Sequence, residues 1–154
     1  MTAPFILLVD DEVSFVETMA KRLATRNIET ITAFSAEEGL EKLKKNQNLD
    51  VIVLDVKMPG MDGIEMLRKI KAGFFRPEVI MLTGHATIEL GINGMKLGAY
   101  DFLTKPCDIE ELVRKVEEAT KKKRAHDNKI EDAERKKLLS KYEPKLFQIN
   151  FIPP

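Results

Sequence analysis

Residues 51–67 read VIVLDVKMPGMDGIEML: four apolar residues, Val51 to Leu54, run without a break into Asp55, and a Pro/Gly turn then leads to a helix-like apolar spacing. An uninterrupted apolar run of this length is buried on both faces, as a parallel strand is. The same grammar recurs on either side. FILLV (Phe5 to Val9) ends on Asp10 and Asp11, VIML (Val79 to Leu82) ends on Thr83, and YDFLT (Tyr100 to Thr104) ends on Lys105 and Pro106. In an open parallel sheet, ligands bind beyond the carboxyl ends of the strands. The five polar residues are therefore expected at one sheet edge.

Segments with helical spacing separate the strands. Phe15, Val16, Met19 and Leu23 line one face, Leu40 and Leu43 another, and Ile64, Leu67 and Ile70 a third, with Ile28 to Ala33 as a further strand. Ser35 with Glu38 forms a capping box, Asp62 caps the third helix, and Asp108 with Glu111 starts the fifth. Five βα repeats predict an α/β fold with a doubly wound, five-stranded parallel sheet, flavodoxin-like, in strand order 2-1-3-4-5, plus a C-terminal helical extension.

Helix four, over Thr87 to Leu97, carries Gly91, Asn93 and Gly94 in its interior. Each glycine costs about 0.8–1.0 kcal/mol relative to alanine there. Two readings stand: the glycines let the helix sit close to the sheet, or they keep it cheap to move.

The 25 basic and 25 acidic residues cancel, yet their distribution is uneven. Residues 1–120 hold 15 Lys/Arg against 20 Asp/Glu, and residues 121–154 hold 10 against 5. The expected organisation is a globular domain over 1–122 followed by a basic helical extension and apolar tail over 123–154. KKKRAHDNKIEDAERKKLLSKY reads as a solvent-facing helix, Pro144 as its stop, and KLFQINFIPP as an apolar, strand-like end. The start lacks a signal-peptide pattern and no apolar run reaches eighteen residues, so a cytoplasmic protein without a membrane span is expected. Cys107 is the single cysteine, which leaves no internal disulfide and agrees with ordinary packing.

A carboxylate that accepts a phosphoryl group must have its own charge offset. Mg²⁺ suits that task, since it takes hard oxygen ligands from one or two carboxylates and keeps several waters. Asp10 and Asp11 supply such a site, and Asp55 is the nucleophile candidate. Thr83 can donate a hydroxyl to a phosphoryl oxygen, and Lys105 can set an ammonium against another. Taken singly, each residue has a duller explanation as a cap, a strand end or a surface charge. Their joint placement at successive strand ends favours one pocket.

FILLVDDE, VIVLDVKMPGMDGIEML, VIMLTGHAT and GAYDFLTKPCDIEEL together resemble a response-regulator receiver domain over about residues 4–120, and GHA with GAYDFLTKPCD is closest to receivers of the nitrogen-regulation type. The resemblance implies that Asp55 is phosphorylated by a histidine kinase or phosphotransfer protein. It implies Mg²⁺ bound by Asp11, Asp55 and the Lys57 backbone carbonyl, with Asp10 acting largely through water. It also implies a switch made of Thr83 and Phe102, and places Lys57 and His85 where side chains affect the approach of water to the phosphoaspartate. Many members have tyrosine where Phe102 stands; Phe102 can turn inward but has no hydroxyl to bond.

The expected role is a phosphoacceptor in two-component or phosphorelay signalling rather than an enzyme. Its output would reach an unknown downstream protein through the helix-four face near Phe102 or through the basic tail, either of which could also pair two copies of the chain. The alternative is a receiver-like binding module that acts through its tail. A haloacid-dehalogenase reading needs an aspartate where Lys57 stands, and nucleic-acid binding by the tail lacks a helix-turn-helix pattern.

Overall fold

The computed structural model describes residues 2–150, with side chains through residue 142. The elements alternate as β1 (Phe5–Val9), α1 (Val13–Ala24), β2 (Glu29–Ala33), α2 (Ala36–Lys45), β3 (Val51–Leu54), α3 (Gly63–Ala72), β4 (Glu78–Thr83), α4 (Ile88–Lys96), β5 (Asp101–Thr104) and α5 (Ile109–Asn150). All four strand pairs are parallel and the sheet order is β2-β1-β3-β4-β5, the order expected from the sequence.

The apolar runs are continuous because both sheet faces are covered, and successive residues turn to opposite faces. Ile6, Leu8, Val51, Val53, Ile80, Leu82 and Leu103 pack with Val16, Met19 and Leu23 of α1 and Leu112, Val113 and Val116 of α5. Leu7, Val9, Ile52, Leu54, Val79 and Met81 pack on the other side with Leu43 of α2 and Met66, Leu67 and Ile70 of α3.

The caps sit where local chemistry puts them. Ser35 Oγ accepts from Glu38 N–H at 3.1 Å, and the Glu38 carboxylate accepts from Phe34 N–H at 3.0 Å. Asp62 Oδ1 accepts from Glu65 N–H at 2.8 Å, and Asp108 Oδ1 from Glu110 N–H at 3.1 Å. Ser35, Asp62 and Asp108 each satisfy an amide that the first helical turn leaves without a partner, and Glu38 satisfies one just before its helix.

The chain divides into two compact units, Met1–Lys123 and Arg124–Pro154. In the first, Lys123 is buried, although the KKKR run reads as solvent-facing; its Nζ lies 3.6 Å from the buried carboxylate of Asp50. In the second, side chains 131–142 are exposed, Leu138, Leu139 and Tyr142 among them. Two expectations about the backbone are corrected: the helix continues through Pro144, read as its stop, and residues 145–150 of the segment read as strand-like are helical, to Asn150. A proline removes one amide donor and crowds the preceding turn, which costs a helix stability without forbidding it. Of the segment read as strand-like, residues 151–154 lie outside the described residues. Among the described residues no helix is long and apolar enough to cross a membrane.

Candidate functional site

The carboxyl ends of the strands are in step, with Val9 opposite Leu54, Leu54 opposite Met81 and Thr83 opposite Thr104. The ladder runs one residue past these ends. Asp10 N–H donates to Ala33 O at 3.1 Å, Asp55 N–H to Val9 O at 3.0 Å and Lys105 N–H to Thr83 O at 2.8 Å. Backbone pairing thus anchors three site residues, and their side chains project from a rigid edge.

Asp10 and Asp55 are buried while Asp11 is exposed, and one carboxylate oxygen from each lies within 4.8 Å of the others. Oxygen-only donors of this kind match the preference of a small hard cation such as Mg²⁺. Buried acids this close repel, and the compensating charge is Lys105. Its Nζ donates to Asp10 Oδ2, lies 4.0 Å from Asp55 Oδ2 and 3.6 Å from Glu12 Oε1. Burial pushes the Asp10 carboxyl above its ordinary range, and Asp55 adds to that; the Lys105 hydrogen bond and the Glu12 N–H, 2.9 Å from Oδ1, work the other way. For Lys105 burial pulls downward, but the hydrogen bond and charge of Asp10, with Asp55 and Glu12, outweigh it and raise the pKa. The lysine therefore stays cationic.

The turn after Asp55 is held from below. Val56 N–H donates to Asp55 Oδ1 at 2.9 Å, and the Val56 and Met58 side chains are buried in the core. Lys57 points its side chain to solvent. Thr83, the last residue of β4, is fully buried, and its Oγ1 accepts from His85 N–H at 3.1 Å. The Lys105–Pro106 bond is cis.

Phe102 is not in the acid pocket. It packs with the core cluster on the α4 side of the sheet, half-buried. A Cβ added at Gly91 would lie 3.8 Å from its ring, and one at Gly94 would lie 3.7 Å from both that ring and Met81. These are ordinary contact distances, so close approach does not demand glycine at either position.

Two residues that the sequence reading did not place in the pocket join it, Glu12 and Phe15. The Phe15 ring centroid lies 4.1 Å from Lys105 Nζ. Phe15 reads as core by its helical spacing, and only the fold brings the ring to the lysine. Cys107 stays outside the chemistry: burial, with Glu111 and Asp108, pushes its thiol pKa up and away from thiolate reactivity.

Residues 6–117 match the family described as the response regulator receiver domain. The chain is 34% identical over 119 residues to the DNA-binding transcriptional regulator NtrC of Escherichia coli K12, a match covering 77% of this chain and 25% of that regulator. The chain thus spans a quarter of its relative's length. Among solved structures, a response regulator receiver domain protein from Clostridium thermocellum is 35% identical with a TM-score of 0.75, over 79% of this chain and 98% of that one. A chain from the CheX-CheY-BeF3-Mg+2 complex of Borrelia burgdorferi is 31% identical with a TM-score of 0.69, over 73% of this chain and 86% of its own.

Proposed function

The chain belongs to the response regulator receiver domain family, and on that premise we propose that Asp55 accepts a phosphoryl group from a histidine kinase or phosphotransfer protein and thereby switches a protein-docking surface. The observation that carries the reading is the meeting of the Asp10, Asp11 and Asp55 carboxylates within 4.8 Å of one another beside the Lys105 ammonium.

A carboxylate oxygen of Asp55 attacks phosphorus as the bond from phosphorus to the donor nitrogen or oxygen breaks, leaving an acyl phosphate on Asp55. The leaving group carries off the bonding pair and takes up a proton. The protein positions the reactants and offsets charge. Lys105 faces the developing negative charge, and Thr83 exchanges its role as acceptor from His85 N–H for that of donor to a phosphoryl oxygen. Asp11, Asp55 and the Lys57 carbonyl would hold Mg²⁺, with Asp10 acting through water. The ion supplies positive charge where two anions must approach. A solved relative combines a CheY with BeF3 and Mg²⁺, which supports the assignment.

Thr83 ends the strand that pairs with β5, and Phe102 lies beneath α4. A shift of Thr83 toward the phosphoryl group opens space into which Phe102 turns, and α4 loses a packing partner. Ile88, Ile92 and Met95 are exposed on that helix. They form the surface that a downstream protein or a second copy of the chain reads, in the cytoplasm.

The test is incubation with acetyl phosphate and Mg²⁺, with intact mass measured for the wild type and Asp55→Asn. The wild type gains one phosphoryl group and the variant none. An unmodified wild type, or a variant modified equally well, overturns the proposal.

A further inference from the structure

We propose that Phe15 is a positioning residue for phosphoryl transfer, holding the Lys105 ammonium by a cation–π contact; the inference rests on the phosphoacceptor reading of Asp55 and adds a residue to its machinery.

Among the described residues, four groups lie close to Lys105 Nζ. Asp10 Oδ2 accepts its hydrogen bond, Glu12 Oε1 is 3.6 Å away, Asp55 Oδ2 is 4.0 Å away and the Phe15 centroid is 4.1 Å away. The ring is well inside the distance at which an aromatic face attracts an ammonium. The lysine side chain is 14% exposed, so the contact is only weakly screened.

The four neighbours differ in how they treat an incoming phosphoryl group. Asp10, Glu12 and Asp55 attract the ammonium with full negative charges, and each of those charges repels the donor's phosphate. The ring attracts the ammonium through its quadrupole and carries no net charge. It is the one neighbour among these that steadies the cation without opposing the donor.

Phe15 is also fixed. It sits in the first turn of α1 and packs against the cluster that contains Val16, Met19 and Leu103. The Glu12 side chain is 64% exposed, and solvent competes for it. The core-packed ring and Asp10 together hold the ammonium close to Asp55, which it must serve.

Phe15→Leu and Phe15→Tyr separate this role from packing. Leucine keeps most of the apolar volume and loses the quadrupole, whereas tyrosine keeps both. The Lys105 ε-methylene NMR signal, identified by its loss in Lys105→Arg, should be shifted upfield by the ring current in the wild type and in Phe15→Tyr, and be normal in Phe15→Leu. With acetyl phosphate and saturating Mg²⁺, the rate of Asp55 modification should fall about two- to fivefold in Phe15→Leu and recover in Phe15→Tyr. An unshifted wild-type signal, an unchanged rate in Phe15→Leu, or an equal fall in both variants overturns the inference. A wild type that accepts no phosphoryl group sinks the functional reading and this inference together; a failure confined to the Phe15 variants leaves wild-type modification intact.

Discussion

Gly63 packs directly against the backbone of the phosphoacceptor candidate: a Cβ at residue 63 would fall 2.9 Å from the Asp55 carbonyl carbon and 2.9 Å from Val56 Cα, and closer still to the Asp55 carbonyl oxygen. Its N–H donates to Val56 O at 2.7 Å, so the start of α3 is bound to the turn that follows β3. Backbone on both sides cannot yield as a side chain would. Gly63→Ala should therefore cost about 1–3 kcal/mol, as overpacking does, and slow modification of Asp55 by displacing its loop. Urea unfolding together with the acetyl phosphate assay measures both effects, and a variant of wild-type stability would refute the close-packing argument.

Lys123 governs a second expectation. Asp50 is buried, accepts from Phe5 N–H at 2.9 Å and faces Lys123 Nζ at 3.6 Å. Removing the cation leaves a buried carboxylate with its compensation reduced, and such losses run to about 3 kcal/mol or more. Lys123→Ala should lower stability by that order at pH 7. A chain cut after residue 117 should be similarly weakened, and one cut after 123 should not. Equal stability for the two truncations would show that the pair contributes nothing.

Helix α4 should gain from alanine. Because ordinary contact distance separates a Cβ at Gly91 from the Phe102 ring, Gly91→Ala adds helix propensity without a clash. The expected gain is about 0.8–1.0 kcal/mol of local stability, seen as slower amide exchange along α4. Faster exchange would mean that the glycine is needed for packing after all.

The Glu38 carboxyl lies below its ordinary range, chiefly because it accepts from Phe34 N–H, with Lys42 adding to the effect. A depressed folded pKa stabilises the fold above the unfolded value, and the benefit disappears as pH falls through the folded value. Glu38→Gln should thus be less stable at pH 7, by under about 1 kcal/mol since the group is partly exposed, and match the wild type in acid. Thermal melts across pH check the sign; a gap that widens toward low pH would contradict it.

Much of this arrangement is legible along the chain because its signals are local. Four consecutive apolar residues before Asp55 announce a strand buried on both faces, and Ser35, Asp62 and Asp108 satisfy amides only two or three positions away. Strand ends then follow from strand starts, and a parallel sheet collects Asp10, Asp55, Thr83 and Lys105 at one edge. Pro144 misleads for a related reason: a local rule states a cost, and the helix continues past it to Asn150.

Contacts between distant residues were not legible. Phe15 has the spacing of any core residue on α1, Lys123 looks like one of several charges in a basic run, and Gly63 looks like a turn glycine. Each acquires its meaning from a partner elsewhere in the chain: Lys105, Asp50 and the Asp55 carbonyl. The sequence by itself determined the parallel βα order, the caps and the polar residues at the strand ends, since periodicity and hydrogen-bond chemistry act within a few residues. Only the tertiary structure decided which side chains surround the lysine, which glycine must lack a Cβ and which helix glycines need not, because those depend on distances across the sheet that no spacing in the sequence encodes.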